Sequence, residues 1–133
     1  MASFQGKILE VNLSSGSIGE SIVEKDVLRK YIGGSGLAAK LFFDRVSLDV
    51  EPFSPDNVMY VMAGPLGGTP MPGGSRFSVC AKSPLTNMWG ESSSGGSFAA
   101  WLRSAGFDCI AVTGTSEKPV YLSIEDGKAE MIR

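Results

Sequence analysis

The sequence predicts an α+β domain of short strands and short helices, on three observations. Apolar residues alternate over short runs that end at Gly-, Pro- or Ser-rich turns, the pattern of strands and hairpins. Two other stretches carry apolar residues at helical spacing, each opened by Gly-Gly-Ser. Those two stretches also match each other. GGSGLAAKL from Gly33 and GGSFAAWLR from Gly95 lie 62 residues apart and agree without gaps at Gly33/Gly95, Gly34/Gly96, Ser35/Ser97 and Ala38/Ala100. Each is followed by an apolar strand, VMYVMA or CIAVTG, which suggests two copies of a strand–loop–helix–strand unit. The competing reading, that GGS is common and helices favour alanine, stands beside it.

Gln5 to Leu13 alternates around Ile8, Val11 and Leu13 and reads as a strand; Ser14-Ser15-Gly16 turns it into a return strand, Ser17 to Val23. Glu24 to Tyr31 is a short helix with Val27, Leu28 and Tyr31 on one side, stopped by Gly33-Gly34-Ser35-Gly36. Leu37, Ala38, Leu41 and Phe42 continue at helical spacing to about Val46. Pro52 and Pro55 mark a loop before Val58 to Ala63, a buried strand. Arg76 to Ala81 is a further strand, ended by Ser83-Pro84. A polar segment runs to Ser94, and Gly95-Gly96 opens a helix whose shared face is Phe98, Trp101, Leu102 and Ala105. Gly106 closes it at the position where a left-handed residue ends a helix. Asp108 to Thr113 and Val120 to Ile124 are strands, and Glu125-Asp126-Gly127 turns the chain into Lys128 to Ile132.

At 133 residues this is one domain or part of one, large enough for a hydrophobic core. A formal charge of −2 argues against a nucleic-acid binder that works through broad electrostatics. No apolar run reaches the roughly eighteen residues of a membrane span. The opening MASFQGKILEV has no basic start followed by an apolar core, so the cytoplasm is expected. The chain contains no histidine, which removes His-based acid–base catalysis and most zinc sites. Cys80 and Cys109 share no CxxC spacing and sit in apolar runs, so both read as buried, inert thiols. Two cysteines cannot hold a four-cysteine iron–sulfur cluster. A complete active site is therefore not expected here.

The stretch Gly64 to Phe98 concentrates whatever chemistry there is. It holds eight glycines and four prolines but only three charges, Arg76, Lys82 and Glu91. Glycine lets backbone approach something bulky and leaves amides free to donate, so one reading is a cradle for an anionic cofactor. The other is a set of turns between strands, which composition alone favours. Ser92 to Ser97, before a helix, offers hydroxyl and amide donors to an anion, whereas Ser94 or Ser97 as a simple cap is the plainer reading. GxxxxGK[ST] is absent, and no GxGxxG follows a strand. Arg76, just after Gly73-Gly74-Ser75, could grip a phosphate or carboxylate with its planar fork; an exposed strand-end arginine is the alternative. Lys82, six residues on, falls on the same face of an ideal strand, a joint cationic patch unless a bulge intervenes. Glu91 and Asp108 form no catalytic pair, and Met59, Met62, Met71 and Met88 read as packing.

In chain order, GKILEVNLSSGSI, YIGGSGLAAKLFF, FSPDN, VMAGPLGGTPMPGGSRFSVCAKSPLT and SSSGGSFAAWLRSAGFDCIAVTGTSEKPVYLSIEDGK resemble the N-terminal domain of the tungsten-containing aldehyde ferredoxin oxidoreductases. The resemblance covers nearly the whole chain. AGPLGGTPMPGGSR, AKSPLT and AGFDCIAVTG are specific together. It implies two β-sheets with short helices in a pseudo-twofold internal duplication, forming a base for a tungsten bis-pterin cofactor with magnesium, molybdenum being the alternative metal. It also implies that Arg76 contacts the pterin and lies toward a 4Fe–4S cluster. Ser93, Ser94, Gly95 and Gly96 meet the pterin diphosphate region, with Ser93 reaching magnesium through its backbone carbonyl. Gly74, Ser75 and Lys82 complete the expected cofactor-binding set. The family usually reads NSGG where this chain has Ser93-Ser94-Gly95-Gly96, a change that weakens the site only if the amide side chain is the ligand.

Family members are several times longer, with cluster cysteines and further pterin motifs in later domains. Residues 1–133 are thus expected to be a partial N-terminal domain, cut within the second repeat, whose last strand lacks a partner and invites self-association. The whole enzyme is expected to oxidise a small aldehyde to a carboxylate and pass two electrons through the cluster to ferredoxin. Its remaining domains are the partners of this one, with no nucleic acid and no membrane. A stand-alone structural or small-anion-binding module, or a subunit of a related aromatic thioester reductase, are the alternatives. The purified 133-residue chain is expected to show no aldehyde oxidation with an artificial electron acceptor; measurable turnover would overturn that expectation.

Overall fold

The computed structural model describes residues 4–132. Along the chain run β1 (Lys7–Asn12), β2 (Ser17–Ile22), α1 (Lys25–Tyr31), α2 (Gly34–Arg45), β3 (Met59–Ala63), β4 (Phe77–Lys82), β5 (Trp89–Ser94), α3 (Phe98–Ser104), β6 (Cys109–Thr113), β7 (Tyr121–Glu125) and β8 (Lys128–Ile132). The strands make two sheets, a six-stranded one in the order β2-β1-β6-β3-β4-β5 and the two-stranded β7-β8. All neighbours are antiparallel except β1 and β6, which run parallel. No helix among the described residues is long and apolar enough to cross a membrane.

Alternation along the central strands feeds two cores, one on each face of the large sheet. Ile8, Tyr60, Met62, Cys80, Cys109 and Ala111 pack with Leu37, Ala38 and Phe42 of α2. Leu9, Val11 and Ile110 pack on the opposite face with Leu102 of α3 and Phe107, where the β7–β8 hairpin adds Leu122, Ile124, Ala129 and Met131. Because side chains alternate, adjacent residues such as Ile8 and Leu9 serve different cores. The order hairpin, helix, strand occurs twice, as β1-β2-α2-β3 and β4-β5-α3-β6. The large sheet reads the same from either edge when these units exchange, which agrees with the internal duplication. The equivalence stops at direction, since β1 runs parallel to β6 while β4 runs antiparallel to β3.

Four expectations are corrected. The polar segment before Ser94 contains a strand, β5, paired in register with β4 from Phe77↔Ser94 to Lys82↔Trp89. GESSS has no apolar alternation. It is held by backbone pairing and by Trp89, whose ring meets Phe42 edge-on at 5.3 Å. In α3 the buried residues are Ala99, Leu102 and Arg103, whereas Phe98 and Trp101 are 41% and 73% exposed. Met62 is core, but Met59, Met71 and Met88 are exposed. The last strand has a partner, because β8 pairs with β7 along its length; its outer edge is unpaired within the sheet. The turn between them holds Asp126 at φ 47° and Gly127 at φ 77°, the doubly left-handed bend that matches strand twist.

Three buried acids set the behaviour at high pH. Burial pushes the Cys80 thiol from 9.0 up to about 11, with Glu91 adding to the effect, and pushes Cys109 well above 9.0. Burial also raises the Tyr60 phenol from 10.0 to about 12, against the opposing pull of Arg45. An acid that ionises later in the folded chain than in the unfolded one changes nothing below its unfolded pKa. Above that pKa it costs stability, by at most ~1.4 kcal/mol for each tenfold difference between its two acidity constants. In urea titrations the unfolding free energy should hold until pH 9.0 and then decline, and Tyr60→Phe should flatten the part between pH 10.0 and about 12.

Candidate functional site

The Gly64–Arg76 loop closes on itself. Gly64 N–H donates to Arg76 O at 2.8 Å, Gly67 N–H to Gly64 O at 3.0 Å, and Gly74 N–H to Met71 O at 3.1 Å. Glycine at 67 lets the loop approach α3 closely, since a Cβ there would stand 3.1 Å from the Cβ of Ala99. The loop delivers Arg76 to the start of β4. Antiparallel pairing then sets Arg76 beside the turn that leaves β5, so Gly95 and Gly96 are its neighbours across the strand pair. A Cβ on Gly95 would lie 4.0 Å from Arg76 Nη1. Ser75 Oγ donates to Gly96 O at 2.6 Å, fastening one turn to the other, and Gly96 takes φ 93°, which disfavours other residues. The hydroxyls of Ser78 and Ser93 lie 3.1 Å apart.

Gly74, Ser75, Arg76, Ser93, Ser94, Gly95 and Gly96 therefore gather at one end of the β4–β5 pair. Arg76 and Ser92 to Ser97 are exposed. No hydrogen bond, ion pair or ring contact engages the Arg76 guanidinium among the described residues. Lys82 is not part of this group. It lies at the other end of β4, roughly 20 Å away by the rise of a strand, with Nζ donating to Leu48 O at 2.7 Å. The serine run occupies β5 rather than the first turn of α3, and Ser97, at the N-cap, makes no side-chain cap bond. The turn's donors are thus backbone and hydroxyl groups between a strand and a helix of 7 residues. Among the described residues no three His, Cys, Asp or Glu gather as a metal set.

Behind the site lies a pair that the sequence reading missed. Arg103 is 7% exposed and Asp108 5%. Arg103 Nε donates to Asp108 Oδ1 at 3.2 Å, and Nη1 donates to Pro65 O at 3.0 Å and to Gly67 O. The other carboxylate oxygen, Oδ2, accepts the amides of Gln5, Gly6 and Lys7 at 2.8, 2.8 and 3.2 Å. The guanidinium also lies 5.5 Å from the Phe4 ring centroid. A planar fork can hold a carboxylate and two carbonyls at once, and the carboxylate's remaining lone pairs suit three convergent amides. The available signal was an arginine on a short helix followed by Gly106-Phe107-Asp108, but helical periodicity assigned the inward face to Trp101 instead.

A model of the aldehyde ferredoxin oxidoreductase N-terminal domain matches residues 8–133. The chain belongs to this family. The tungsten-containing aldehyde ferredoxin oxidoreductase of Pyrococcus furiosus is 42% identical over 126 residues, 95% of this chain and 21% of that protein. An aliphatic sulfonate oxidoreductase WOR-like subunit of the same organism is 31% identical over 134 residues, 98% of this chain and 21% of the subunit. Among solved structures, the active site complex BamBC of benzoyl coenzyme A reductase with 1,5 dienoyl-CoA superposes at a TM-score of 0.93. It is 42% identical, covering 96% of this chain and 19% of that one. The chain thus spans about a fifth of the length of the relatives it matches. Its mixed fold of two sheets and short helices is that of the aldehyde ferredoxin oxidoreductase N-terminal domain.

Removing one member of a buried ion pair leaves its partner charged and unpaired, at about 3–5 kcal/mol. Asp108→Ala should accordingly lower the unfolding free energy of this family member by that order. The loss should be read from denaturant midpoints, and a change below about 1 kcal/mol would contradict the assigned importance of the pair.

Proposed function

We propose that this chain is the cofactor-base domain of a tungstopterin iron–sulfur oxidoreductase, and that the full-length protein oxidises an aldehyde to a carboxylate with ferredoxin as electron acceptor. The observation that carries the reading is the exposed Arg76 guanidinium, without an internal partner among the described residues, beside the Gly95–Gly96 turn in a chain of this family. The donor chemistry fits an anionic cofactor. Arg76 offers a planar fork, Ser94 and Gly95–Gly96 offer hydroxyl and backbone groups on an accessible turn, and the turn itself, Ser92 to Ser97, carries no carboxylate to compete. Arg76, with Gly74 and Ser75 beside it, would contact the pterin, and Ser93 to Gly96 would meet its diphosphate region, with the Ser93 carbonyl as the contact to magnesium. When bound, the metal–pterin group would supply the redox chemistry, with a 4Fe–4S cluster held outside this chain as its electron acceptor. This chain's own part is to bind and orient, with the positive charge of Arg76 steadying the anionic group.

A second reading has its own observation. The benzoyl coenzyme A reductase complex is as identical to this chain as the Pyrococcus furiosus aldehyde oxidoreductase, at 42% in each case. An aromatic thioester reductase subunit is therefore the alternative. Turnover of the full-length protein with aldehydes, compared with reduction of an aromatic coenzyme A thioester, separates the two.

In the full-length protein, Arg76→Ala should reduce bound tungsten and pterin per polypeptide several-fold, since a charged hydrogen-bond donor to an anion contributes about 1.5–3 kcal/mol. Metal analysis and pterin fluorescence after acid release measure this. Unchanged content and unchanged turnover would refute the role given to Arg76.

A further inference from the structure

We infer that Arg103, buried and two helical turns from the cradle, is a positioning residue that holds the Gly64–Arg76 loop and the Gly95–Gly96 turn in mutual register. The inference deepens the cofactor-base reading and rests on it for what the cradle binds. A closed ring of contacts carries it. Arg103 holds the carbonyls of Pro65 and Gly67. Gly67 N–H bonds Gly64 O, and Gly64 N–H bonds Arg76 O at 2.8 Å. Ser75 Oγ, next to Arg76, bonds Gly96 O at 2.6 Å. From Gly96 the chain passes through Ser97 into α3 and returns to Arg103, roughly 10 Å along the helix axis.

Each link has one job. The loop rests on α3 with Gly67 beside Ala99 and Gly68 beside Ala100, small-group contacts to which a polar pin adds direction. Arg103 is that pin, because its fork engages two loop carbonyls while Asp108 fixes the guanidinium from behind. Asp108 in turn is fixed by the Gln5, Gly6 and Lys7 amides, on the segment that leads into β1. Arg76 has no such anchor for its own side chain among the described residues, so its placement depends on its backbone, and its backbone carbonyl is held by Gly64. Lysine in place of Arg103 keeps the charge opposite Asp108 but is a point charge without the planar fork. Arg103→Lys thus separates pinning from charge balance.

The test is amide hydrogen exchange by NMR on the 133-residue chain, without ligand and with inorganic pyrophosphate as the probe. In Arg103→Lys the Gly64 and Gly67 amides should exchange about tenfold faster while β3 amides keep their rates, because only local opening changes. Pyrophosphate should bind the variant about tenfold more weakly than the wild type, through a more mobile cradle. Gly67→Ala, which spares the Arg103–Asp108 pair and pushes the loop off Ala99, should give the same local pattern and serves if Arg103→Lys does not fold. Native exchange at Gly64 with native pyrophosphate affinity in either variant would overturn the positioning role. So would uniform acceleration in loop and β3 alike, which is general destabilisation. A wild-type chain that ignores pyrophosphate, with the loop still loosened in the variants, would refute the cofactor reading and leave the pin standing.

Discussion

The buried Arg103–Asp108 pair is the interaction on which most of this domain depends. One carboxylate gathers three backbone amides from the entry to β1, and one guanidinium gathers two carbonyls from the loop that leads to Arg76. The pair therefore joins the amino-terminal segment, α3, the start of β6 and the glycine-rich loop at a single point. Burying two charges is expensive, and the expense is offset only when every lone pair and proton finds a partner. No buried side-chain nitrogen or oxygen among the described residues is left without one. A residue pair of this kind adds little to stability compared with apolar packing of the same volume. What it does is tie four segments together, because all of them supply partners to the same two side chains.

Much of the fold was legible because its local signals agree with one another. The hairpins announce themselves through apolar alternation and turn residues, and Asp126-Gly127 adopts the left-handed pair that such a turn requires. The two cysteines were legible for the same reason: apolar neighbours on alternating strands place Cys80 and Cys109 in the core. Strand β5 was not legible, since Ser92-Ser93-Ser94 carries neither alternation nor strand propensity and becomes a strand only when β4 offers its edge. The face of α3 was misread because Phe98 and Trp101 out-rank Arg103 on any hydrophobic scale, yet the arginine has partners within the domain and the tryptophan is exposed.

The candidate site divides in the same way. Glycine and serine content marked the right stretch, and Arg76 stood out as a cation after two glycines. Side-chain period then paired Arg76 with Lys82, which share a face but stand at opposite ends of β4; period reports direction and says nothing of distance. The residues that do meet Arg76 come from across the strand pair, and only the register of β4 on β5 brings them there. Contacts set by pairing register lie beyond any reading of one segment at a time.

The place of β6 in the sheet has a consequence for how the chain acquires its structure. β6 lies between β1 and β3, and no other described strand joins the amino-terminal hairpin to the β3-β4-β5 meander. During synthesis both halves expose an unsatisfied inner edge until residues as far as Thr113 have emerged, and the carboxylate that gathers Gln5 to Lys7 arrives from 101 to 103 residues downstream. Closure is therefore a late, non-local event with a large loop entropy to overcome. Until then two sticky half-sheets wait in the nascent chain, which makes the interval before β6 emerges the period of greatest exposure to misassembly.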